Sequence, residues 1–592
     1  MISQRFGLIA AAVLAGACMI ASDARAAEPK PDPAAPAGPT PGAAGPGENA
    51  PVHRVPPTAT RVPTVWLEHK GLFRFRPQLI VNGDLGLGNG GSSGVPLPLE
   101  AATGQEKDAS TLSWADMRLR WEPTLHLGDA FAVHAGFDLL DGVVLGSSWA
   151  DAGGVPAFGV TSETAASPSA GHIGWSDALE VRSLYGEWHA FDMIDVTVGR
   201  VPDSFGLGLV RNAGDCDDCD FGNVVDMASV ALSLSGFRLQ AAWEWTAVGA
   251  TTDLVSANDR GIGQAKDLGE DDDVTTYTLR AGRFPVTDLE RAARTKILDE
   301  DRGWAFDWAL FSAFTNQHYS SSEQVEETSL ECRPDAQLAN GQPVQDYDCV
   351  RLFRRDAFFW RPGVWLKLER HPDLLSSFRL ELELAAVIGD IKHPQRLLED
   401  DSSEAKDFQG LGGALELEWR DDTLAAGIDI GYASGDNGQY VGVLDGQNVV
   451  EPDDDAYVAD DTLRANHRVT SFFFSRDYLV DLILFREILG TVTNAVYFKP
   501  WISKTLLQGE DTTLSVRFDA LYALAPRPSG TPGDGGQWGV ELDAKAVFET
   551  RAGFRATLAA GALIPLDALD HPVTGEAPEP AFAIRSMLGW SF

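Results

Sequence analysis

The residues best suited to chemistry in this sequence sit in one short run, DCDDCD at 215–220. Cys216 and Cys219 are separated by two residues, and Asp215, Asp217, Asp218 and Asp220 surround them. A CxxC pair serves as a redox centre, as half of a zinc site or as a local disulfide. No βαβ pattern surrounds this pair to build a thioredoxin-like centre, and no second CxxC completes a zinc tetrad. Cys332 and Cys349 bracket a polar stretch of sixteen intervening residues. In an oxidising compartment the simplest pairing is 216–219 with 332–349, and cross-linking between the two loops is its rival. The carboxylates of the run, like those at Glu270 to Asp273 and Asp453 to Asp455, would suit calcium. None has the spacing of an EF-hand loop, so a solvated acidic surface is the plainer account. Nucleophile elbows, HExxH and Gly-rich phosphate loops are absent. The expectation is therefore a protein that is not an enzyme and needs no cofactor.

A second set of charged residues is ordered by period. In GLFRFRPQLIVN (71–82), Phe73, Phe75, Leu79 and Val81 share one face, and Arg74, Arg76 and Gln78 share the other. The same alternation sets Arg118 and Arg120 against Leu119 and Trp121, and Arg379, Glu381 and Glu383 against Leu380, Leu382 and Leu384. Glu416, Glu418, Asp429, Arg517, Asp519, Glu541, Asp543 and Lys545 fall likewise on polar faces. A period of two is that of a strand. A wholly charged face beside a wholly apolar one suits a sheet with water on one side and lipid on the other. The charged set then lines a lumen. Early strands contribute arginine and middle strands carboxylates, so basic and acidic walls would oppose each other across it. The competing outcome is that these charges pair with their neighbours and leave little field.

The elements that must carry these residues are set by the rest of the chain. At the N-terminus, Arg5, an apolar run and Ala24-Arg25-Ala26 form a signal peptide over 1–26. Residues 27–63 are rich in Pro, Ala and Gly and form a periplasmic linker. Beyond the signal no apolar run is long enough for a membrane helix. The formal charge of −39 argues against nucleic acid as a partner, because phosphate binding needs clustered Lys and Arg.

Residues 64–592 repeat an alternating stretch, a tight turn, a second alternating stretch and a long polar segment. Short connections such as Gly128-Asp129 and Asp421-Asp422 alternate with long ones at 147–177, 318–354 and 436–470. This asymmetry is that of an all-β, closed antiparallel transmembrane barrel, with about 18 strands (16–18). Two stretches break the pattern. TDLERAARTKIL (287–298) has capping-box spacing at Thr287 and Glu290 and predicts a helix. SRDYLVDLILFREIL (475–489) predicts a helix folded inward as a constriction, although VDLILF also fits a strand.

The last residues, SMLGWSF, resemble the C-terminal recognition strand of bacterial outer-membrane proteins. VGRVPDSFGLG (198–208) resembles a porin segment, and 539–569 resemble the alginate-export and carbohydrate-porin type of Gram-negative barrel. The resemblance implies an outer-membrane location, lipid around the barrel and an assembly machinery that reads the terminal strand. It also implies a polar lumen for passive diffusion of small hydrophilic solutes. The alternatives are export of a polysaccharide and a structural barrel closed by its own loops.

Overall fold

The computed structural model describes residues 65–87, 111–141, 179–190, 193–249, 270–321, 352–393, 405–436, 468–572 and 574–592. Cys332, Cys349, the signal peptide, the linker and Asp453 to Asp455 lie outside these residues. The chain divides into two units, of which the larger, Leu67–Leu145 with Val181–Phe592, holds nearly all of the sheet.

The wall is built from β1 (Val65–Val81), β2 (Thr111–Leu127), β3 (Phe131–Leu139), β4 (Leu179–Ala190), β5 (Ile194–Pro202) and β6 (Val224–Leu234). It continues through β7 (Phe237–Ala247), β8 (Val274–Arg283), β9 (Trp304–Ser321), β10 (Leu352–Arg370), β11 (Ser376–Ile391), β12 (Lys406–Asp421) and β13 (Leu424–Ala433). The two residues of β14 (Arg468–Val469) only lie alongside β12 and take no place in the ring. β15 (Ala495–Gln508), β16 (Thr512–Leu524), β17 (Gln537–Thr550), β18 (Phe554–Pro565) and β19 (Ala581–Ser591) complete it. Neighbours in the chain are neighbours in the sheet, and β19 returns to pair with β1 through Phe73 with Trp590 and Gln78 with Arg585. The result is a closed antiparallel barrel of eighteen strands. Closure leaves no sheet edge unpaired, which a wall facing lipid requires.

Alternation decides which face meets what. Phe131, Trp188, Leu239, Trp243, Tyr277, Phe306, Trp360, Leu384, Phe498, Phe518, Leu558 and Ile584 are exposed on the outside. Residues of the opposite parity, such as Arg74, Arg118, Glu244, Thr278, Glu383 and Glu541, are buried inside. At the end holding Gly71 and Phe592, aromatic pairs sit on the outer face: Phe131 stacks on Trp188 and Phe554 tilts against Trp590. Such girdles mark the boundary between hydrocarbon and headgroups. The connections at this end are mostly tight turns, helped by left-handed backbone at Gly128 and Gly553.

Two departures from regular strand match or correct the sequence reading. The helix α1 (Asp288–Thr295) starts at Thr287, whose side chain accepts from the Glu290 N–H, while Glu290 reaches back to complete a capping box. The predicted helix over 475–489 is not formed. Only a five-residue turn, Leu484–Ile488, is helical, because the segment's N–H groups find carboxylate acceptors instead of its own carbonyls.

Candidate functional site

Two segments from the long-loop end fold into the lumen: residues 203–223 between β5 and β6, and 470–494 before β15. Apart from the helical turn Leu484–Ile488 neither is regular structure, so each must find partners for its backbone polar groups. Carboxylates supply them. Glu383 on β11 accepts from the N–H groups of Leu207, Gly208 and Leu209 at 2.7, 3.0 and 3.3 Å. Glu541 on β17 accepts from Leu482, Ile483 and Leu484 at 2.9, 2.8 and 2.8 Å. Asp477 accepts from Asp220, Phe221 and Gly222, which joins the second segment to the first. Asp481 takes the N–H groups of Phe485 and Arg486. Successive N–H groups converging on one anion form the backbone concavity known from phosphate sites, here filled by the protein's own side chains. Gly206 makes the first of these possible. Its φ is +56°, and a Cβ there would meet the Glu383 carboxylate at 2.7 Å.

The opposite side of the first segment rests on the arginine wall. Arg74 and Arg118 donate to the carbonyl of Cys219 at 3.2 and 2.9 Å, and Arg120 to that of Gly214 at 2.8 Å. Arg76 holds Asp218 and Asp220, each at 2.8 Å. Arg555 reaches Asp217, Arg182 stands 3.6 Å from Asp215, and Arg486 and Arg585 both contact Asp218. Cys216 and Cys219 form a disulfide that closes this turn, with Cys219 buried. The aspartates expected to suit calcium are thus matched with guanidinium groups. Among the described residues no cluster of His, Cys, Asp or Glu has the form of a metal site. Burial opposes the charge on Asp218, yet Arg486 and Arg76 hold its carboxyl below the usual carboxylate range. Asp481 is the reverse case: burial, and then Glu541, push it well above that range.

The expected opposed walls are present in position but not as a free field. Arg74, Arg76, Arg118 and Arg120 face inward, and Asp116, Asp138 and Asp141 beside them already take part of their charge. Facing them, Arg379 contacts Glu381, Glu416 and Glu418, and Asp429 pairs with Lys499 at 2.9 Å. Arg517 turns to Asp519, and Asp543 and Lys545 lie inside on the strand of Glu541. The 203–223 segment lies between the walls, tied to Arg76 on one side and Glu383 on the other. Neutralisation by neighbours therefore outweighs opposition.

Several residues of the site were not singled out in the sequence: Asp477, Asp481, Arg486, Glu487 and Arg585. Their signal is visible in hindsight. Charges at 476, 477, 481, 486 and 487 interrupt an apolar stretch in a way that suits neither a lipid-facing strand nor a solvated loop.

No protein-family model and no curated protein matches the sequence. Solved structures do resemble it in outline. Pseudomonas aeruginosa OccK11 (OpdR) is 10% identical with a TM-score of 0.41, over 88% of this chain and 96% of that one. P. aeruginosa OpdL is 10% identical with a TM-score of 0.43, over 89% and 98%. Acinetobacter baumannii OccAB3 is 8% identical with a TM-score of 0.42, over 89% and 99%. The likeness is to the barrel and to nothing finer, and the alginate-export subtype has no support in it.

Proposed function

We propose that this barrel is a passive outer-membrane channel for small hydrophilic solutes, narrowed by its own two inner segments. The observation that supports it is the joint anchoring of 203–223 and 470–494 inside a wall whose outer face is apolar. An apolar exterior with aromatic girdles supports a barrel set in a bilayer. Strand-crossing barrels of this kind belong to the outer membrane, with lipid as the surrounding partner and the terminal strand ending at Phe592 as the signal for assembly. The short-turn end then faces the periplasm, together with the 27–63 linker that succeeds the 1–26 signal peptide.

The inner segments limit what can pass. A polymer exporter needs a lumen that is continuous and wide along its length, and a segment tied from Arg76 to Glu383 crosses that path. Small solutes need only the gaps the segments leave, one of which is a cavity of about 360 Å³ beside Arg361. That favours diffusion of small solutes over polysaccharide export. Purified protein in a planar bilayer tests the reading. Discrete conductance steps support it, and a heat-modifiable, membrane-inserted barrel with no conductance would identify a plugged structural barrel instead.

A further inference from the structure

The cavity beside Arg361 differs in charge from the rest of the lumen. Elsewhere guanidinium groups meet carboxylates: Arg76 with Asp218, Arg120 with Asp138, Arg211 with Asp203 and Glu244, Arg517 with Asp519. Arg361, on the inner face of β10, donates through Nη2 to the Thr315 hydroxyl at 2.9 Å. Its Nε is buried without a partner, and it has no ion pair among the described residues. Arg476, on the second inner segment, also lines the cavity and lies over the Phe221 ring at 5.0 Å, again with no carboxylate in contact among the described residues. Among the described residues no acidic residue lines this space, in a chain whose net charge is −39.

Half-buried with no carboxylate in contact among the described residues, the Arg361 guanidinium favours an anion beside it. The rest of the lining is mostly apolar, with Phe221, Phe472, Phe474 and Val387, and Asn223 and Ser475 are its uncharged polar members. A volume of about 360 Å³ lies in the range of small-molecule sites. Arg361, half-buried, and Arg476, exposed to water, together bring two positive charges to this space. A single carboxylate would balance one, whereas a phosphate monoester balances both and presents oxygens that match the planar fork of arginine.

We infer that this cavity is a binding site for a phosphate monoester with an apolar body, its phosphate held by Arg361 and Arg476 and its body against the phenylalanines. This deepens the channel reading and rests on it only for the consequence in transport, where such solutes would be retained and selected. Binding itself does not depend on conduction.

The test is calorimetric titration of the full folded chain in detergent with four probes: phenyl phosphate, inorganic phosphate, benzoate and benzyl alcohol. Phenyl phosphate should bind one to one, at least tenfold tighter than either benzoate or inorganic phosphate, and benzyl alcohol should not bind. Arg361→Gln and Arg476→Gln should each weaken phenyl phosphate about tenfold or more while the unboiled protein keeps its compact gel mobility. Phe474→Ala should weaken phenyl phosphate and leave inorganic phosphate unchanged. Equal affinity for benzoate and phenyl phosphate would overturn the inference, as would unchanged affinity in Arg361→Gln. A channel that conducts but binds none of the probes refutes the site and leaves the channel standing. Binding without conductance does the opposite.

Discussion

Asp218 stands 2.7 Å from Arg486, and these residues belong to the two different segments that enter the lumen. The same carboxylate also reaches Arg76 on the wall at 2.8 Å. One side chain therefore joins β1, the disulfide-closed turn and the second segment. With Asp477 taking three N–H groups of residues 220–222, it makes the two segments one unit. The wall can close without this unit, because its strands are held by their own ladder. In the proposed channel this unit would set the width of the passage.

Replacing Asp218 with Asn should loosen that unit and leave the barrel intact. Removing one partner of a buried pair is strongly destabilising because the other charge is stranded. About a quarter of the Asp218 side chain reaches water, so a local cost of about 2 kcal/mol is expected, less than for a fully buried pair. Limited proteolysis should show new cleavage in 203–223 or 470–494, while unboiled gel mobility stays that of the folded barrel.

Glu541→Gln should free the second segment more than the first. The carboxylate accepts three backbone hydrogen bonds, and the amide can accept at one atom only, turning a donor toward another N–H. An intramolecular hydrogen bond is worth about 1 kcal/mol net. Hydrogen exchange should accelerate at 482–484 and remain unchanged at 207–209, which Glu383 serves.

Acidification should act in two opposite steps. Asp481 has a raised value, so its charge costs stability at neutral pH, and that cost disappears as pH falls through the raised value. Asp218 has a lowered value, so its contribution is complete above the ordinary carboxylate range and is lost as pH falls through the lowered one. Current noise from the inner segments should thus fall as pH is lowered toward the ordinary carboxylate range, then rise below it. Asp481→Asn should weaken the first change, which Glu383 and Glu541 share, and keep the second.

Selectivity should track the charges left open to the lumen. Glu416→Gln with Glu418→Gln exposes Arg379 and should move the reversal potential in a salt gradient toward anions. Arg118, fully buried beneath the Cys219 carbonyl, should behave differently: Arg118→Gln should disturb the turn at 215–220 with little direct shift of selectivity. Equal and opposite shifts from the two changes would mean that the walls act as a free field after all.

The barrel was legible because alternation is local. Phe73, Phe75 and Leu79 against Arg74, Arg76 and Gln78 already fix which face turns outward, and Thr287 with Glu290 fixes a helix start within four residues. The lumen was legible only by parity. Periodicity says that Glu383 and Glu541 point inward, but not that each would be consumed by three backbone N–H groups from a segment more than fifty residues away in sequence. The same limit explains the misread helix at 475–489. Its apolar spacing suits a helix, yet Asp481 and Glu541 offer its N–H groups carboxyl acceptors that a helix would have to forgo. The role of DCDDCD was likewise open, since nothing in the run says that Arg74, Arg76, Arg555 and Arg585 will surround it.

The central claim is that two latched inner segments narrow a conducting barrel, and single-channel recording of the wild type beside Asp218→Asn tests it most directly. The account predicts small, discrete conductance steps in the wild type and larger, noisier steps in the variant, at equal amounts of folded barrel. Identical conductance in the two, or a wild-type barrel that inserts and never conducts, would contradict it.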